Sequence, residues 1–199
     1  MRYFIYMMMT LFFVSGCATK TPAVTQYALV LQGDKYTQTS SCKGESLKVL
    51  KSFSDTTLMD TKMYYASGLE VNNYHQSQWV RSPNTMVSEM LLQNIRNAHL
   101  FQSVVGYNSR VQTKYVLESR LDEFMQYFSN DMKRSYVVVQ LSLALVRKEG
   151  LDLVKAKTFR TKVDVTTLNA SGGVQALEGA MQKVMHEVVI WLSGACNDK

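Results

Sequence analysis

The chain has only three histidines in 199 residues, and no pattern that would set one to work. His186-Glu187 begins like the zinc-protease sequence HExxH, yet position 190 is Ile, so the second ligand one helical turn on is missing. That pair reads as helix surface. No G-x-S-x-G elbow presents a serine on a strand-to-helix turn. His75, His99 and His186 have no recognisable triad context, so only residues gathered from separate segments could build a hydrolase. Gly172-Gly173 lacks the rest of a phosphate-binding loop and reads as a helix start. Glu118, Asp122 and Glu123 could act as paired acids, but on an alternating strand they read as the wet face. After residue 17 no apolar run approaches the roughly 20 residues of a spanning helix. There is no internal repeat. Catalysis, cofactors and metals are therefore not expected.

What is present starts at the first residue. Met1-Arg2-Tyr3 is a short basic start, and Phe4 to Val14 is an apolar run broken only by Thr10. Small residues, Ser15 and Gly16, then precede Cys17. This is the layout of a secretory signal peptide. Small residues let a peptidase reach the backbone, and a cysteine just after the cut offers a thiol for acylation. The segment resembles the lipobox of bacterial lipoproteins, with Val14 where Leu is more usual. The resemblance implies cleavage before Cys17 and acylation (palmitate among the chains) of its sulfur and new amino group. The plainer reading is an ordinary signal peptide with an incidental cysteine. Each buried methylene adds about 0.8 kcal/mol of membrane affinity, so several chains on Cys17 would anchor the protein almost permanently. Ala18, rather than Asp, follows the cysteine, which suggests the outer membrane.

Composition supports one exported globular domain. Hydrophobic residues make up 46% and charged residues 19%, enough apolar material for a real core. The formal charge is +6, but the cations are dispersed apart from Lys133-Arg134 and Arg147-Lys148. Export argues against nucleic acid as a partner, and the cations read mainly as solvated surface. The division expected is residues 1–16 as signal peptide, 17–25 as lipidated cysteine and tether, and 26–196 as the periplasmic domain. Cys42 and Cys196 remain after Cys17 is committed to lipid. In an exported chain they suggest a disulfide, which the chain-entropy description values at roughly 5 kcal/mol for so long a loop. Two separate thiols are the alternative.

Ala18 to Thr25, with Pro22, reads as a tether. Tyr27 to Leu31 is a first strand, and Gly33 to Gly44 is loop. Leu47, Val49 and Phe53 face inward on a second strand, with Lys48 and Lys51 near water. Met63 to Val71 reads as a hairpin split near Ser67-Gly68. Ser82 can cap a helix and Pro83 fits its first turn. Met86, Val87, Met90, Leu91, Ile95 and Ala98 then make one apolar face. Three long strands follow, over Tyr115 to Phe128, Val137 to Leu145 and Val154 to Thr167, with a bulge near Phe124. A last helix starts at Ser171-Gly172-Gly173. Val174, Leu177, Met181, Val184, Met185, Val188 and Leu192 form its buried stripe, and Gly194 ends it. The fold class is α+β: a mostly antiparallel sheet with two helices packed on one face, in a single domain.

Aromatic residues are the strongest hint of a contact surface. Tyr74-His75-Gln76-Ser77-Gln78-Trp79 is expected in the loop before the first helix. Tyr74 and Trp79 there suit a protein or lipid interface. The alternative is that both pack over the sheet edge and fix the start of the helix.

Met63-Tyr64-Tyr65, then Leu69 to Tyr74, Trp79, Pro83 and the Met86/Met90/Leu91 helix form a familiar layout. With Phe101 and Val104 at the helix exit, the three-strand meander and Trp191-Leu192, it resembles the PqiC-like ABC-type transport auxiliary lipoprotein family over roughly residues 24 to 193. One departure is the absence of proline from Phe53 to Lys62. The resemblance implies a non-catalytic periplasmic lipoprotein, tethered to the outer membrane. Its implied partners are an MCE-domain protein and an ABC permease and ATPase that move lipid between membranes. An exposed strand edge or the aromatic loop could support a homo-oligomeric ring. The other reading is an accessory lipoprotein of lipopolysaccharide or another outer-membrane assembly complex. A bacterial lipoprotein would rarely use Asn169-Ala170-Ser171 as a glycosylation acceptor.

Overall fold

A computed structural model of the protein describes residues 23–30, 36 and 39–196. The expected signal segment, Cys17 and most of the expected tether lie outside the described residues. The architecture is α+β, with one nine-stranded sheet and two long helices among the described residues. Its organising element is β7, Tyr115–Phe128. One edge of β7 pairs antiparallel with β8, Ser135–Arg147, and β8 pairs antiparallel with β9, Asp152–Asp164. The expected bulge is present, as a register shift between Leu121 and Glu123.

The other edge of β7 is lined by an interrupted chain. Strands β2 (Ser46–Val49), β3 (Phe53–Ser54) and β4 (Lys62–Ser67) pair with β7 in turn, all in parallel. A 3₁₀ turn at Thr56–Leu58 fills the gap before β4. The sheet is therefore mixed: mostly antiparallel, as expected, with short parallel pairings along one edge of β7. Parallel pairing needs a long crossover, and β5 (Glu70–Trp79), α1 (Pro83–Asn97) and β6 (Ser103–Gly106) supply it. Strand β5 folds back on β4, β1 (Thr25–Tyr27) runs parallel beside β5, and β6 lies beside β2.

Two local expectations are corrected here. Residues 74–79 are strand, not loop, because β5 continues to Trp79. Its polar run hid it: Asn72, Asn73, Gln76 and Gln78 give no clear alternation on a strand that is exposed or half-exposed almost throughout. Phe53 points outward and is 58% exposed. Leu47 and Val49 pair with Tyr115 and Leu117, but Phe53 pairs with Arg120, one residue out of step. A one-residue slip turns every later side chain to the opposite face, so Ser54, not Phe53, is buried.

Both helices pack on one face and share a single core with the sheet. In α1 the expected face, Met86, Val87, Met90, Leu91, Ile95 and Ala98, is buried. Ser82 sits at the N-cap position, but its hydroxyl bonds Asn84 and Thr85 side chains rather than a backbone N–H. The second helix, α2, spans Ala170–Ser193, and all seven residues of its expected stripe are buried. Asn169 caps it by accepting a bond from the Gly172 N–H at 2.9 Å. A Cβ at Gly172 would collide with the Thr167 carbonyl, and one at Gly173 with the Gln126 amide. Close approach, not phosphate binding, explains that glycine pair.

Candidate functional site

Three places carry residues that the sequence singled out. The first is the β5 segment. Trp79 ends β5 and is only 4% exposed; its ring packs 5.6 Å from Phe124. The structure thus places Trp79 in the core, and it has no surface to offer a partner. It stabilises the strand-to-helix junction instead, where its backbone N–H donates to the Thr61 carbonyl at 2.7 Å. Tyr74 is half-buried. Its hydroxyl donates to Gln126 Oε1 at 2.9 Å, and Gln126 Nε2 donates to Ser135 Oγ at 2.9 Å. Tyr65 packs against Tyr74 with ring centroids 4.7 Å apart. Burial, and then the neighbouring Tyr65, push the Tyr74 phenol well above its ordinary range, so it stays a neutral donor. Outside this network, Tyr74, His75 and Ser77 line a shallow hollow of about 450 Å³ with Asn169 and Ser171.

The second place is the sheet face away from the helices. A hollow of about 720 Å³ lies there, floored by the small residues Ser142, Ala144, Ala156 and Thr158. Phe53 is its aromatic wall. The Arg120 guanidinium lies 5.0 Å from the Phe53 ring centroid and is held by Asp55 at 2.8 Å and Asp122 at 2.9 Å. Asp122 also accepts a bond from Ser142 at 2.6 Å. Paired this way, Arg120 is a fixed planar platform rather than a free cation. The floor lacks bulk because cross-strand neighbours on adjacent strands, Ala144 with Ala156 and Ser142 with Thr158, are all small. An exposed ring above a small-residue floor can accept an apolar side chain or a flat apolar group from a partner. Sequence reading missed this site because it placed Phe53 inside. The signal available was Leu50-Lys51-Ser52, a break in the alternation where a bulge could enter.

The third place is the helix and cysteine set. His75, His99 and His186 are exposed on β5, after α1 and on α2. Among the described residues no hydrogen bond reaches the His75 ring, and no carboxylate lines its hollow. Among those residues, too, no three His, Cys, Asp or Glu side chains gather as metal ligands. Ile190, the residue that replaces a second zinc-site histidine, is 48% exposed. Cys42 and Cys196 form a disulfide, with Cα atoms 5.2 Å apart. It fastens the end of α2 to the segment leading into β2, where Ser41 N also donates to Ser193 O at 3.0 Å. No described helix is long and apolar enough to cross a membrane.

Comparison with known proteins agrees with this architecture. No curated protein matches the sequence. A crystal structure of protein XCC0632 from Xanthomonas campestris superposes with a TM-score of 0.77 at 16% identity, covering 85% of this chain and 95% of that one. A structure described only as an uncharacterized protein gives 0.67 at 14% identity, with 86% and 99% covered. The hypothetical protein CT253 from Chlamydia trachomatis gives 0.51 at 7% identity, with 78% and 99% covered. These likenesses share the fold. The sequence itself matches the family described as "ABC-type transport auxiliary lipoprotein component" over residues 49–189, from β2 to the last turns of α2, and the chain belongs to that family.

Proposed function

We propose that the protein is a lipoprotein anchored to the outer membrane through Cys17, and that it serves there as a non-catalytic docking component of an MCE/ABC-type lipid transport system. The observation that carries this reading is the family match over residues 49–189, coupled to the lipobox-like Val14-Ser15-Gly16-Cys17 at the start of the chain. ATP hydrolysis would fall to another subunit. The protein's part is to hold the end of an MCE assembly against the membrane.

The contact surface proposed is the open sheet face around Phe53. It combines exposed apolar area with the fixed Arg120 platform, and a rigid β7–β8–β9 meander supports it. Tyr74, beside its own hollow, is a secondary contact at the other side of the sheet. The test is crosslinking in native membranes, followed by affinity capture and mass spectrometry. Recovery of an MCE protein with its permease and ATPase, reduced by Phe53→Ala, is expected. Recovery of an outer-membrane barrel without them would overturn the transport assignment in favour of an assembly role.

A further inference from the structure

Every exposed turn of this sheet lies at one of two ends, and the chain itself distinguishes them. At one end the β4–β5 hairpin and the β7–β8 turn lie side by side: Ser67 pairs with Phe128, and Gly68 approaches the Asn130 side chain. This end presents Leu69, fully exposed at 103%, together with Val71 at 56% and Met132 at 45%. Nothing within the described chain covers them. Lys133 and Arg134 stand exposed on the same turn, and among the described residues neither closes a salt bridge. The turn is a built structure. Ser129 N–H donates to the Arg134 carbonyl, and Asp131 accepts from both Ser129 Oγ and the Lys133 N–H. It also holds Met132 at φ 55°, a left-handed conformation that costs a long side chain energy. Leu151, on the turn at the other end, is held the same way at φ 56°, so this strain is common to both ends.

The N-terminal side of strand β1 faces this same end. It runs parallel to β5, with Thr25 opposite Ser77. The chain before Thr25 therefore leads back along β5 toward the hairpin. Cys17 lies eight residues before Thr25, and Leu69 lies eight residues before Ser77. Eight residues span at most about 29 Å, and the same number in a strand covers about 26 Å. A tether of that reach brings its lipid level with Leu69 at full stretch. It cannot hold the domain well clear of the bilayer.

We infer that the Leu69–Val71–Met132 end of the sheet rests in the headgroup layer of the membrane that holds Cys17, with Lys133 and Arg134 against lipid phosphates. This rests on the anchor reading of Cys17. The chemistry fits a lipid surface: apolar tips that enter the interface, ringed by cations that favour an anionic leaflet. The opposite end, with Leu151 and Leu153 on the β8–β9 turn, would then face away from the bilayer.

The test uses the full-length protein purified from membranes and placed in vesicles of phosphatidylethanolamine and phosphatidylglycerol. An environment-sensitive thiol dye is attached to Leu69→Cys, and separately to Leu151→Cys. Both sites are exposed turn residues, and the native cysteines are committed to lipid and disulfide. Intact mass first reports the acyl chains on Cys17. With acylation present, the dye at 69 should be quenched by lipid-borne quencher and shielded severalfold from aqueous iodide relative to the dye at 151. Adding Lys133→Glu and Arg134→Glu should reverse part of that shielding. An acylated protein whose two dyes are equally open to iodide would overturn the tip contact alone. A protein with no acyl mass would overturn the anchor, and the tip contact with it.

Discussion

The two ends of the sheet carry similar apolar tips but are closed by different means. At the far end, where β2 and β7 begin, the Cys42–Cys196 bridge ties the last turn of α2 to the body. At the near end, hydrogen bonds do the same work. Asn169 caps α2, Gln126 links Tyr74 to Ser135 beneath Gly173, and Asp131 organises the β7–β8 turn. A covalent tie holds whatever the solvent. A set of hydrogen bonds, each worth about 1 kcal/mol net, can be loosened singly. The difference teaches that the end nearer the proposed anchor is held by bonds that pH and substitution can tune, while the far end is locked.

The largest expected effect separates the ends completely. Cys17→Ser should release the protein from washed membranes while circular dichroism stays unchanged, because Cys17 precedes the first strand, β1, by eight residues in sequence. Retention of the unlipidated variant would break the assignment of the near end to the membrane. Next is the lock itself. Cys196→Ser should lower stability by about 2–5 kcal/mol in denaturant titration, with little change at the near end by hydrogen exchange. A cost of similar size, about 3–5 kcal/mol, is expected for Trp79→Ala, since its buried ring leaves a cavity beside Phe124. A Trp79→Ala variant as stable as the parent would contradict its place in the core.

Smaller effects probe the near end. Tyr74→Phe removes one donor to a buried amide and should cost about 1–2 kcal/mol, far less than Trp79→Ala. The smallest effect is acid loosening of the β7–β8 turn. Hydrogen bonds from Ser129 and the Lys133 N–H, in that order, hold the Asp131 carboxyl below the usual carboxylate range. A lowered pKa means the turn is tightest above the ordinary carboxylate pKa and loosens as pH falls through the depressed one. Amide protection at 129–134, measured against the intrinsic exchange rate at each pH, should therefore fall in acid, and should be lower at neutral pH in Asp131→Asn.

How far the sequence could be read differs by element. Helices α1 and α2 were legible residue by residue, because a buried stripe every three or four residues is a local pattern. The β7–β8–β9 meander was legible for the same reason at period two. Strand β5 was not, since it is flanked mainly by β4 and a three-residue β1 and buries little, so its side chains are free to be polar on both sides. Phe53 misled because the one-residue change of register before it shows in the sequence only as the break in alternation at Leu50-Lys51-Ser52. Trp79 looked like an interface residue because an aromatic beside polar neighbours reads alike whether it faces solvent or core.

The sequence by itself determined the α+β class, the helix faces, the lipobox-like start and the family likeness, since these depend on neighbours along the chain. Only the tertiary structure decided that the sheet is mixed, that Phe53 opens a hollow on its free face, that Trp79 is core and that the chain before β1 leads back toward the Leu69 hairpin. Those facts depend on which strand lies beside which, and pairing between distant segments is set by register and crossover rather than by any local run of residues.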